Sequence, residues 1–278
     1  RLLVLALAVM MVLAMVPTVA FAADPWPNAE GGVITLEADK TYGGIDITEE
    51  VTIIGNGATV SSISIKTADP VVIKGVNFEN WVYLEHAVEV EGRYQFDVTI
   101  EDCVFGTPGG SVPYRRIYMP ENNKPQEGYM TVKNCTFYEA TYCVNLLSVT
   151  NIHFEGNTFN SDARPALQYI VTAENKDNIK IFNNVFNGTG NGLMVTIADG
   201  SFDADAHIGN VYNNTFNGTR VVVAVSDPDV ETLTVLRNNG LNASNIWFSS
   251  WSLNPRFKPV TTGPLSGEML KNLNFANG

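Results

Sequence analysis

The residues of this chain that could do chemistry are few and scattered. Tyr114, Arg115, Arg116 and Tyr118 form the densest group, with two arginines between two tyrosines. Tyrosine rings stack on sugar rings, and a planar guanidinium fork pairs with carboxylates, so the group is a candidate binding surface. It lies in a polar insertion that runs from Gly106 to Glu127. A solvated loop is the plainer reading of the same residues. Asp199, Asp203 and Asp205, with Ser201 between them, place oxygen-bearing side chains at alternate positions, as a flexible Ca²⁺ loop would. The turn glycine and distal Glu of an EF-hand loop are missing, and a metal-free acidic turn is the plainer reading. His86, His153 and His207 show no metal-ligand spacing, and the last two fall beside strand positions, pointing outward. No Ser/His/Asp, Cys/His or Gly-rich phosphate motif stands out.

The whole chain bounds what those residues can do. It has 278 residues, 45% hydrophobic and 17% charged, with a formal net charge of −12. That hydrophobicity excludes a wholly disordered chain. The acidic balance argues against nucleic acid and anionic membranes, since phosphate binding needs a basic footprint. Leu2 to Val16 is an uncharged apolar run, and Ala20-Phe21-Ala22 is a small-x-small cleavage pattern. The run is short of the ~20 residues that span a bilayer, so residues 1–22 read as a secretory signal cleaved after Ala22. An uncleaved N-terminal anchor is the alternative. Export leads to a secreted or cell-surface protein, and no later segment reads as a membrane span. Cys103, Cys135 and Cys143 are too few for a disulfide-stapled domain, so the fold must be held by its core and the thiols are expected to be free.

A repeat supplies that core. Ala58, Phe78, Phe105, Phe137, Phe159, Phe186, Phe216 and Leu241 align in one column at steps of 20, 27, 32, 22, 27, 30 and 25 residues. Five positions earlier stand Ile53, Ile73, Ile100, Val132, Phe154, Ile181, Val211 and Leu236. Apolar residues recur seven positions earlier in most copies, the alternation of a strand with one buried face. Three before the column stand Gly55, Gly75, Asp102, Asn134, Gly156, Asn183, Asn213 and Asn238, types that accept left-handed backbone angles at a sharp bend. Two before it stand Asn56, Val76, Cys103, Cys135, Asn157, Asn184, Asn214 and Asn239. Stacked inward-facing Asn side chains would satisfy the buried turn backbone above and below.

Leucine-rich repeats share part of this pattern. Leu is scarce in the columns, however, and the second half of each repeat also reads as strand: Ala87 to Val90, Leu167 to Val171, Leu193 to Ile197 and Val221 to Val225. The expected fold is therefore all-β, a right-handed parallel β-helix solenoid of about eight coils with an Asn ladder. Residues 23–245 form the solenoid with its N-terminal cap. Residues 246–278, where Trp247, Phe248, Trp251 and Phe257 mix with prolines, read as a C-terminal cap or the start of a linker.

On these columns the chain resembles the pectate-lyase-like β-helix superfamily, specifically its exported bacterial right-handed β-helix repeat proteins, over residues ~31–245. The opening Gly31 to Leu36 and Val51 to Gly55 are similar to that superfamily's first coil. Its polysaccharide lyases use a catalytic Arg and acidic Ca²⁺ ligands. The resemblance therefore implies catalytic candidates at Asp162, Arg164 and Arg220, each just after a column Phe. The lyase pattern is incomplete. Residues 188–192 read Gly-Thr-Gly-Asn-Gly, and the sixth residue counted from Arg164 is Tyr169 where a second Arg is expected. The motifs of the related galacturonan hydrolases are missing. The expectation is a monomeric, non-catalytic protein contacting polysaccharide or a cell-surface component. The alternatives are a lyase or glycoside hydrolase, with Ca²⁺ as its possible cofactor, and a structural stalk of a larger adhesin.

Overall fold

The computed structural model describes residues 23–276 other than 86–88, 91–92, 120–125, 148, 163–164, 201, 237–240 and 242–243. The chain winds into coils whose strands stack in parallel on three faces. The first face runs through eight strands, from Val33–Thr35 and Val51–Ile54 to Ile179–Phe182 and Asn210–Tyr212. The second carries the short Phe strands, among them Val104–Phe105, Thr136–Tyr138 and Thr158–Asn160. The third carries Arg115–Tyr118, Tyr142–Leu146, Leu167–Val171, Asn191–Ile197, Arg220–Val225 and Ile246–Phe248. In the early coils the second and third faces are continuous, because Asn77–Leu84 pairs with Val104–Phe105 by its first half and with Arg115–Tyr118 by its second. Among the described residues no helix is long and apolar enough to cross a membrane.

The columns become interior stacks. Ile53, Ile73, Ile100, Val132, Phe154, Ile181 and Val211 pair in register along the first face, each buried. Phe78, Phe105, Phe137, Phe159, Phe186 and Phe216 stack along the second, with ring centroids 4.7–4.9 Å apart and planes within 11°. The ring spacing matches the ~4.8 Å between neighbouring strands, so register alone brings the faces of the rings together.

Between these two faces the chain bends at one residue with positive φ: Gly75, Asp102, Asn134, Gly156, Asn183 and Asn213. The residue after the bend points inward and builds the ladder. Asn184 Oδ1 accepts from Asn157 N and Asn157 Nδ2, both at 2.9 Å, and Asn184 Nδ2 donates to Phe154 O and Phe182 O at 3.0 Å. Asn214 repeats the arrangement one coil on. Cys135 and Cys103 take the same station: Cys135 Sγ lies 3.7 Å from Ile100 O and 3.2 Å from Lys133 O, and Val76 N donates to Cys103 Sγ at 3.5 Å. All three cysteines are buried free thiols.

Three readings of the sequence need correction. In the first copy Val60, not Ala58, pairs with Phe78. Asn56 and Gly57 both adopt positive φ, which lengthens that turn by two residues and puts Asn56 outside the ladder, bonded to Leu36 O. In the last copy Thr232–Leu236 pairs with Asp205–His207 instead of with Val211. Gly209, at φ 91°, splits that coil's strand in two. Asn238 and Asn239 lie outside the described residues. Finally, Glu89–Val90 runs antiparallel to Arg93–Glu101, so it is a hairpin arm, and the third-face strand of that coil is the end of Asn77–Leu84. Ile246–Phe248 pairs with Val221 to Val223, and Leu273–Ala276 pairs with Leu233 to Leu236, so residues after 245 extend two sheets by one rung.

Asn184→Leu leaves buried turn groups without partners and should lower unfolding free energy by about 1–3 kcal/mol. Asn160, on the outer side of the bend, accepts one bond, from Asn187 Nδ2 at 2.9 Å, and is half-buried. Asn160→Leu should therefore cost distinctly less in urea titrations. Equal losses would count against the ladder as the main restraint.

Candidate functional site

The insertion after Phe105 places its two arginines differently. Arg115 lies on the outside, its Cζ 4.8 Å from the Tyr114 ring centre, 5.5 Å from Tyr118 and 5.9 Å from Tyr142. Tyr83, one coil earlier, stacks on Tyr118 at 4.6 Å. Tyr142 meets Tyr114 edge-on at 5.6 Å, and Tyr114 is 59% exposed. Burial raises the hydroxyl pKa of both Tyr83 and Tyr118. Beside them Asn145 stands in register between Tyr118 and Gln168 but is buried, and its Oδ1 has no hydrogen-bond partner among the described residues. Three aromatic rings around one guanidinium, with a fourth stacked on one of them, form a surface platform on the third face. Tyr83, Tyr142 and Asn145 are absent from the sequence reading, because only strand register brings them beside the insertion.

Arg116 is not at the surface. It is 1% exposed, and Nη1 donates to Glu79 O at 2.6 Å and Asn80 O at 3.3 Å, Nη2 to Ser111 O at 3.3 Å and Glu139 O at 3.1 Å. Its Nε has no partner among the described residues. Burial pushes the guanidinium pKa down from its usual value. A binding role for the Arg116 side chain at the surface is therefore corrected to an internal one: it ties carbonyls of three successive corners together. Gly106, at φ 78°, permits this, since a Cβ there would collide with Nη2.

Of the implied catalytic residues, Asp162 and Arg220 fall on one side of the later coils. Asp162 Oδ1 accepts from Thr189 N at 2.8 Å and Thr189 Oγ1 at 3.4 Å. Arg220 Nη2 donates to Thr189 O at 3.4 Å, and Nε donates to Asn191 Oδ1 at 3.0 Å. The guanidinium lies 4.0 Å over the Trp247 ring. Asp162 and Arg220 thus meet the same turn without pairing directly. Arg164 lies outside the described residues.

Asp203 and Asp205 line a cleft of about 590 Å³ with Lys176, Phe202 and Asp229. Asp205 Oδ1 accepts from Thr232 Oγ1, and the buried Asp227 receives the amides of Phe202 and Asp229. Asp199 stands apart. Among the described residues no three His, Cys, Asp or Glu side chains come close enough to hold a metal ion. The alternate spacing did not converge, because Asp205 turns into its hydrogen bond with Thr232 on the next strand. His153 faces outward beside Glu155, Nε2 to Oε2 3.2 Å, whereas His207 is half-buried, its Nδ1 accepting from Gly209 N. Burial lowers the His207 pKa. His86 lies outside the described residues.

The parallel coils, inward Phe stack and Asn ladder agree with a family model: residues 61–245 match the right-handed beta helix region. The chain belongs to the right-handed β-helix family. That membership is consistent with the pectate-lyase-like resemblance and describes the scaffold, not an activity. No curated protein and no solved structure matches the chain significantly.

Two outcomes follow for this β-helix. Arg116→Met strands four carbonyl groups beneath the insertion and should lower stability by about 3 kcal/mol or more, whereas Arg115→Met should change it by less than about 1 kcal/mol. Chemical denaturation of the two variants tests this. Burial also pushes the Cys143 thiol from 9.0 up to about 12. Folding favours the neutral thiol, so this contribution is complete below pH 9 and lost as pH rises towards about 12. Stability should fall across that window, and less steeply in Cys143→Ala.

Proposed function

We propose that this is a secreted or cell-surface protein that binds carbohydrate through the third face of its β-helix without cleaving it. The observation that carries the reading is the Arg115 guanidinium set among Tyr114, Tyr118 and Tyr142, with Tyr83 stacked on Tyr118. Flat rings present apolar area to the C–H faces of sugars, while the guanidinium offers polar contacts at a fixed position. In register with Tyr118 at later coils stand the half-buried Gln168, Met194 and Trp247, with the buried Asn145 and Val222 between them. Five strand steps of ~4.8 Å put Tyr118 and Trp247 about 24 Å apart, two aromatic contact points for an oligosaccharide lying along the solenoid axis.

Binding without turnover is supported by the engagement of the implied catalytic groups. Arg220 is stacked on Trp247 and bonded to Asn191, and the Asp162 carboxylate is occupied by Thr189. A side chain so restrained serves better as a platform than as a proton acceptor. The formal charge of −12 repels acidic polymers, which favours neutral or weakly charged glycans unless Ca²⁺ bridges the two. The apolar leader of residues 2–16 and the cleavage pattern at Ala20 to Ala22 support export.

The test is incubation of the 23–278 fragment with polygalacturonate and a panel of neutral glycans, with and without Ca²⁺. Binding of at least one neutral glycan is expected, weakened about tenfold or more in Tyr118→Ala, a loss of about 1.4 kcal/mol. Unsaturated products that disappear in Arg164→Ala or Arg220→Ala would establish a lyase instead. Failure of every glycan to bind would favour a structural stalk.

A further inference from the structure

We propose that the second face carries a separate sugar-binding cleft, closed by the 106–113 segment and shaped by the buried Arg116. The cleft has a volume of about 630 Å³ and is walled by Thr59, Asn77, Glu79, Asn80, Thr107 and Ser111. That volume falls within the range of small-molecule sites. Its walls carry three hydroxyls, one carboxylate and the amides of Asn77 and Asn80, whose Nδ2 groups donate to Gly57 O and Ser61 Oγ, with no basic side chain among them. Such a wall suits the hydroxyls around an uncharged sugar ring, because each sugar hydroxyl both donates and accepts. Glu79 accepts such donors and disfavours an anion. This site does not rest on the tyrosine platform, which lies on a different face.

Arg116 explains why the cleft exists. A buried cation bonded only to main-chain carbonyls is costly, since its charge is desolvated without an opposite charge in return. Three of the four carbonyls it holds, those of Glu79, Asn80 and Ser111, belong to residues of the cleft wall. Beyond the bond from Gly106 N to Phe78 O at 2.8 Å, the guanidinium therefore fixes the segment against Asn77–Leu84. Arg116 is a positioning residue for this cleft. Its neighbour Arg115 faces the tyrosines, so the one insertion serves two faces.

Beyond the cleft, the outward side of the second face continues as a polar stripe. Thr136 and Thr158 follow Val104 in register, and Asn160, Asn187 and Asn217 run beside them. Asn187 Nδ2 donates to Asn160 Oδ1 at 2.9 Å and Asn217 Nδ2 to Asn187 Oδ1 at 2.8 Å. Hydroxyls and amides therefore recur at each strand step along the solenoid axis, which suits a neutral oligosaccharide whose terminal unit occupies the cleft.

The experiment is an NMR titration of the ¹⁵N-labelled 23–278 fragment with cellotetraose, xylotetraose and mannotetraose. At least one should produce saturable shifts of the Asn77 and Asn80 side-chain amides and the Thr107 backbone amide. Ser111 is exposed, so Ser111→Trp should fold normally, fill the cleft mouth and weaken that binding about tenfold or more. Arg116→Lys keeps the charge but loses the fork, and should lose the same shifts. Tyr118→Ala should leave them in place, which separates this cleft from the platform. The proposal is overturned if none of the three sugars shifts these amides at millimolar concentration, or if Ser111→Trp binds as the parent does.

Discussion

The turn between the first and second faces is the constraint on which this solenoid rests. Each coil must bend there within about two residues; the positive-φ residue lies at the surface, but the residue after it is buried, and the amides and carbonyls on that inner side cannot reach water. An unpaired buried group of that kind costs about as much as a lost hydrogen bond, and the cost recurs at every coil. The ladder meets it by letting each side chain serve two coils. Asn184 receives the amide of Asn157 above it and donates to carbonyls of its own coil and the previous one. Because the bond runs from coil to coil, a slipped register would break it at both ends. Registry of the Phe rings follows from this, and the burial of Ile181 or Phe154 follows in turn.

The station tolerates different chemistry as long as it donates and accepts. Cys103 and Cys135 place sulfur where the amides of Asn157, Asn184 and Asn214 stand, with weaker and longer bonds to the equivalent carbonyls. Their thiols are then held as hydrogen-bond donors, and burial beside Cys103 raises the Cys135 pKa accordingly. Val76, higher up, donates only its main-chain amide to Cys103. The ladder thus fades towards the N-terminus, where the Asn56–Gly57 turn replaces it.

The columns were legible because they report a force that acts identically in every coil. They fail where a single residue redirects the chain. Two consecutive left-handed residues displaced Ala58, and Gly209 split a strand and moved Leu236 away from Val211. Periodicity weighs side chains by type and cannot count an inserted turn residue whose neighbours are apolar. The candidate sites were less legible for a related reason. Arg115 and Arg116 are adjacent and identical in type, yet one lies among tyrosine rings and the other under a loop. Tyr83 and Tyr142 join them only through pairing between coils, which sequence spacing does not encode. The three aspartates near position 200 look alike in type, but Asp203 and Asp205 share a cleft that Asp199 does not line, and Asp205 bonds to Thr232.

Departures from the repeat are where a solenoid can acquire a site at low cost. Each coil touches only its neighbours, so an insertion disturbs two interfaces and leaves the others intact. The 106–113 segment uses that freedom. It leaves the Phe stack unbroken, since Phe105 pairs with Phe137 on one side and Phe78 on the other. It opens a corner whose exposed carbonyls then need donors. A neutral side chain would satisfy one or two of them, whereas the guanidinium of Arg116 reaches four. The cost of burying its charge is the cost of having a rigid wall at that corner. In a mobile loop the hydroxyls of Thr107 and Ser111 would lose conformational freedom on meeting a ligand, which subtracts from affinity. The same buried charge that looks wasteful for stability therefore favours recognition, because that ordering is complete before any ligand arrives.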